Sequence, residues 1–68
     1  MLYSEIGNSI KKRRKELGII QSHLSKLAGV SLNTLYKLER GQSNPTLEVL
    51  SKLAEVLGME IKFDVRKV

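Results

Sequence analysis

Asn33 and Lys37 stand four residues apart in the stretch LNTLYKLERG, one helical turn from each other. Their side chains could read base edges. The carboxamide can make a bidentate pair with adenine, and the ammonium can donate to guanine O6 and N7. Leu32, just before them, offers an apolar contact for a thymine methyl. Tyr36 sits on the same side, either as a reader of DNA or as a half-buried packing residue. A second set of polar residues suits phosphates: Gln21, Ser31, Thr34 and Gln42. Phosphate contacts fix register without carrying sequence information.

Such side chains do nothing unless short helices hold them at a fixed angle. Four glycines, Gly18, Gly29, Gly41 and Gly58, each follow a helix-like stretch, at the position where a helix end favours glycine. They divide the chain into four helices and a tail. The first helix is expected from Ser4 to Leu17, with Tyr3, Ile6, Ile10 and Leu17 as its apolar stripe. Arg14 falls inside that stripe, four residues after Ile10 and three before Leu17. The second helix is expected from Gln21 to Ala28, facing inward through Leu24, Leu27 and Ala28. Ile20 occupies its cap position, where Ser, Thr, Asp or Asn would accept a backbone N–H. Gly29-Val30-Ser31 reads as a tight turn, with Ser31 capping a third helix from Leu32 to Arg40. Leu35 and Leu38 form the core of that helix, and Glu39 lies beside them. Asn44 and Pro45 are the expected cap and first residue of a fourth helix, whose apolar face is Leu47, Leu50, Leu53, Ala54 and Leu57. Two short helices joined by a glycine-bearing turn make a helix-turn-helix unit, whose second helix can lie in the DNA major groove.

Composition agrees with an anionic partner and excludes several alternatives. The chain has 68 residues, a formal charge of +5 and no cysteine. A basic domain of this size points to nucleic acid before membrane. Disulfides and thiolate chemistry are excluded, and no His/Asp/Glu cluster suggests a metal; His23, the single histidine, reads as a surface residue. No nucleophile–base pair and no phosphate-binding loop is present, so neither catalysis nor a cofactor is expected. No apolar run approaches a membrane span, and a cytoplasmic protein is expected. The run KKRRK at residues 11–15 reads as a solvated helix face, Arg14 excepted.

The segment GIIQSHLSKLAGVSLNTLYKLERGQSNPTLEVLSKLAEVLG resembles the phage repressor/Cro-type (Xre-type) helix-turn-helix family. Its markers are Gln21, Leu24, Gly29–Ser31, the LERG at Leu38–Gly41, Pro45 and the LAEVLG at Leu53–Gly58. The resemblance implies a mainly α, four- to five-helix repressor-like domain with the third helix as recognition helix. It implies a regulator, a repressor or autoregulator, that binds double-stranded DNA. It also implies an ion pair between Arg14 and Glu39 inside the domain. The sequence departs from the family pattern at Ile20, Ser25 and Leu32.

The tail, MEIKFDVRKV, alternates Met59, Ile61, Phe63 and Val65 with Glu60, Lys62, Asp64 and Arg66, the period of a half-buried strand. One strand is not stable alone. Residues 1–58 are therefore expected to form the DNA-binding domain, and residues 59–68 a strand that pairs with its copy in a homodimer, with Ile61, Phe63 and Val65 on the packed face. Such a dimer would read a palindromic operator. A compact domain with one short strand also resembles HipB-like antitoxins. That resemblance offers an alternative role, binding and neutralising a toxin protein such as a HipA-like kinase.

Overall fold

Leu24, Leu35, Leu38, Leu53 and Leu57 are completely enclosed, and they come from three different helices. Burying a leucine side chain contributes about 1.5–3 kcal/mol, so this cluster is the main driving force of the fold. Ile10, Ala28 and Val30 complete it, and Ile19, Val49, Leu50, Val56 and Met59 pack around its edge. The computed structural model describes residues 2–66. Helix α1 spans Leu2–Glu16, α2 Gln21–Ala28, α3 Leu32–Glu39 and α4 Leu47–Leu57. Both α1 and α2 pack on α3 and α4. The described residues thus form a four-helix, all-α domain in which α3 is braced from two sides.

Where α1 crosses α3, the sequence supplies a glycine. Gly7 is buried, and a Cβ there would collide with the carbonyl oxygen of Leu38 and come within 3.2 Å of the Glu39 carbonyl group. Gly41 answers it from the other side. Its φ is +70°, and a Cβ would lie 2.9 Å from the Cα of Ser4. The two glycines let the first turns of α1 lie against the end of α3 at backbone distance.

Several expectations are corrected. Helix α1 begins two residues earlier than expected and ends one earlier, leaving Leu17 exposed in the following turn. Leu27 is 56% exposed, because α2 turns Ser25 inward with Leu24 and Ala28. Leu47 is also exposed, since the buried stripe of α4 is centred on Leu53, Ala54 and Leu57. The cap of α4 is Thr46 rather than Asn44. Thr46 Oγ1 accepts from the Val49 N–H at 3.1 Å, and Pro45 precedes the cap instead of opening the helix. Pro45 lines the same apolar groove as Leu50, the arrangement of a hydrophobic staple.

The expected strand is not formed within the chain. Met59 packs on the core and its N–H bonds the Ala54 carbonyl at 2.9 Å, but residues 60–66 are neither helix nor strand. The physical reason is that a strand exists through a paired backbone, and the four helices present no sheet edge to pair with. Phe63 and Val65 are 89% and 97% exposed and stand off their own domain, whereas Ile61 is partly covered in a groove it shares with residues of α1 and α4. Residues 67 and 68 of the expected strand lie outside the described residues.

Candidate nucleic-acid interface

At the junction of α1, α2 and α3 sits a single carboxylate. Glu39 is buried, and the Arg14 guanidinium grips it bidentately, Nε to Oε2 at 2.7 Å and Nη2 to Oε1 at 2.9 Å. The remaining Arg14 nitrogen, Nη1, donates to the Ile19 carbonyl at 2.8 Å. Gln21 Nε2 donates to Glu39 Oε1 at 3.0 Å. Burial pushes the Glu39 carboxyl up, but the hydrogen bonds from Arg14 and Gln21, together with the positive charges of Arg14 and Lys11, outweigh it and hold the group below the usual carboxylate range. The hydrogen bond to Glu39 likewise raises Arg14 above its ordinary value. Glu39 therefore stays ionised and fixes α1 and the start of α2 against α3. The expected pair is present, with Gln21 as a third member that spacing did not indicate.

The turn between α2 and α3 follows from its residue types. Gly29 takes φ +69°, a left-handed conformation open to glycine, and its N–H bonds the Ser25 carbonyl. Val30 then drops into the core, and its N–H bonds the same carbonyl at 3.0 Å. Ser31 caps α3 by accepting from the Thr34 N–H at 3.1 Å, while its own hydroxyl donates to Thr34 Oγ1 at 2.7 Å. The buried Ser25 hydroxyl, a departure from the family pattern, donates to the Ser22 carbonyl at 3.0 Å and so carries no unmet polar group.

With its inner side committed to Leu35, Leu38 and Glu39, α3 turns Leu32, Asn33, Tyr36 and Lys37 outward. All four are exposed, so the structure brings the expected base-reading residues together on one face. The expected phosphate residues divide. Gln42 is exposed. Ser31 and Thr34 are bonded to each other, though the Thr34 hydroxyl proton stays free to donate. Gln21 turns one amide N–H inward to Glu39. What it leaves at the start of α2 is backbone. Ile20 has no side-chain cap, and its carbonyl accepts from the N–H groups of His23 and Leu24, both at 3.1 Å. The N–H groups of Gln21 and Ser22 have no partner among the described residues. A helix start with free N–H groups is suited to an anion.

Two further residues hold the site in place beyond those the sequence reading names. Arg13, within the basic run, donates from Nε to the Leu57 carbonyl at 2.8 Å and so ties α1 to the end of α4. Lys11, Lys12 and Lys15 remain exposed, as expected. Arg40, just past α3, places its guanidinium 5.3 Å from the centre of the Tyr36 ring. Its spacing of four from Tyr36 is the signal that could have found it. Among the described residues no group of acidic and histidine side chains could hold a metal ion, and no helix is long and apolar enough to cross a membrane.

Comparison with known proteins gives consistent matches. A family model described as helix-turn-helix matches residues 10–63. An HTH-type transcriptional regulator of Methanothermobacter thermautotrophicus is 39% identical over 51 residues, covering 75% of this chain and 74% of that one. Another from Sinorhizobium fredii is 37% identical over 54 residues, covering 79% and 70%. In a third, from Haemophilus influenzae, 47% identity over 45 residues covers 66% of this chain but only 46% of the relative.

Proposed function

The chain belongs to the helix-turn-helix family of the Xre/Cro type, a family of DNA-binding regulators rather than enzymes, and we propose that it is a transcriptional regulator that places α3 in the major groove of an operator. The observation that carries this is the outward row of Leu32, Asn33, Tyr36 and Lys37 on a helix whose inner side is pinned by Glu39. Asn33 and Lys37 read base edges, Leu32 meets a thymine methyl, and Tyr36 lies beside them. The free N–H groups at the start of α2 hold a phosphate, with Gln21 beside them, and Ser31, Thr34 and Gln42 add further backbone contacts. Selection of duplexes from a random pool tests the reading. Asn33→Ala and Lys37→Ala should relax the selected sequence, and an unchanged selection refutes it.

The operator is a palindrome bound by a homodimer, with residues 1–58 as the DNA-binding part and the tail from residue 59 as the dimer contact. The exposure of Phe63 and Val65 supports this, and so does the charge order of the tail. An antiparallel pairing centred on Phe63 sets Lys62 opposite the partner's Asp64 and Glu60 opposite the partner's Arg66. Ile61 then meets Val65 on the shared apolar face. Sedimentation of the chain and of Phe63→Asp measures it; a variant still sediments as a dimer only if the contact lies elsewhere. A toxin-neutralising role rests on resemblance alone and is not part of this proposal.

A further inference from the structure

Among the described arginines, Arg13 and Arg14 have guanidinium hydrogen bonds inside the domain. Arg40 is different. Its side chain makes no hydrogen bond or ion pair among the described residues, yet it is not loose, because it lies over the face of Tyr36 one turn back along α3. Tyr36 is itself 47% exposed and sits three residues from Asn33. A guanidinium held over a ring by a cation–π contact spends no N–H group on it, so its N–H groups are left to donate. The neighbouring carboxylate, Glu39, is turned inward and cannot neutralise it.

We propose that Tyr36 and Arg40 work as one unit: the ring positions the Arg40 guanidinium, which donates to a backbone phosphate of the DNA at the edge of the site read by Asn33 and Lys37. The inference rests on the regulator reading above and changes the part played by Tyr36 from reader to positioning residue. The choice of phosphate over a base follows from place. Base edges are contacted by the N-terminal residues of a recognition helix, and Arg40 lies beyond its C-terminal end. A planar fork suits a phosphate, and one held over a ring is partly pre-organised for it.

The test uses the full chain, a duplex selected by the wild-type protein, and a random-sequence duplex of equal length. Affinity is measured over a range of salt for Arg40→Ala, Arg40→Lys, Tyr36→Phe, Tyr36→Ala and the double variant Tyr36→Ala/Arg40→Ala, with thermal melts to confirm folding. Arg40→Ala should weaken both duplexes by the same factor and reduce the salt slope by about 0.9, one phosphate contact. Arg40→Lys, which keeps charge but loses the plane, should retain the slope and lose part of the affinity. Tyr36→Phe should bind as wild type. Tyr36→Ala should lose roughly two- to fivefold, the worth of an exposed cation–π contact, and that loss should vanish once Arg40 is already alanine. Additive losses overturn the unit, as does a changed base preference in Arg40→Ala or a Tyr36→Phe as weak as Tyr36→Ala. If Asn33→Ala and Lys37→Ala lose selectivity while Arg40→Ala changes nothing, this proposal fails and the regulator reading stands. A wild-type chain that binds no duplex overturns both.

Discussion

Gly7 of α1 lies directly against the carbonyl oxygen of Leu38, with no room between them for a methyl group. The obstacle is backbone, so it cannot move aside as the tip of a flexible side chain would. Gly7→Ala is expected to destabilise the domain despite the better helix propensity of alanine. The loss should exceed the roughly 1 kcal/mol gained from propensity and reach about 1–3 kcal/mol net, as for overpacked cores. Urea denaturation measures it, and a variant as stable as the wild type would place the α1–α3 crossing further apart than described.

Removing the Glu39 carboxylate leaves Arg14 buried without its partner. Glu39→Ala should destabilise the fold by about 3–5 kcal/mol, the range for breaking a buried pair. The exposed Glu55→Ala serves as control and should stay within about 0.5 kcal/mol of wild type. Equal melting temperatures for the two variants would refute the structural role of the pair.

The same carboxylate gives the fold an acid dependence with a definite sign. Its pKa is lowered in the folded state from an ordinary value of 4.5, so the unfolded chain takes up a proton first. The stabilisation is complete above that value and disappears as pH falls through the lower folded pKa. Stability measured from neutral pH down to about pH 2 should fall more steeply for the wild type than for Glu39→Gln. Parallel curves would mean that another carboxylate controls acid unfolding.

Ile20 is exposed and gives the start of α2 no side-chain cap. Ile20→Ser should therefore stabilise the free protein by about 0.5–2 kcal/mol, since the serine oxygen can accept a free backbone N–H. Because the proposed phosphate uses the same group, affinity for DNA should not rise with stability. A thermal melt with and without duplex separates the two effects.

Much of this arrangement was legible in the sequence because it is local. Ile10, Arg14, Leu24, Leu35, Leu38, Leu53 and Leu57 all sit at helical spacing within their own segments, and all are buried. Helix ends were readable for the same reason: all four glycines expected to terminate a helix take positive φ. Leu27 and Leu47 differ from the expectation because spacing admits a wider apolar arc than neighbouring helices cover. Thr46 won the cap from Asn44 although both are good capping residues, and nothing in the local sequence ranks them. Gly7 gave no signal, since its meaning lies in a backbone more than thirty residues away. Arg13 reads as solvated from the sequence because its acceptor, Leu57, is 44 residues along the chain. The tail has the period of a strand, but period reports only which side chains share a face. Pairing needs a second edge, and that is not in the chain's own fold.

The bond from Gln21 to Glu39 bears on the thermodynamics of docking. It joins the first residue of α2 to the last residue of α3, across the turn that would otherwise act as a hinge. With Arg14 closing the same carboxylate from α1, the angle between the two helices is set before any ligand arrives. Ordering a mobile element on binding is an entropic charge against affinity, and here that ordering is completed during folding. Gln21→Ala is thus expected to lower affinity with an added unfavourable entropy of binding, obtained from calorimetry as the difference between free energy and heat, that the wild-type chain, already held in register, does not incur.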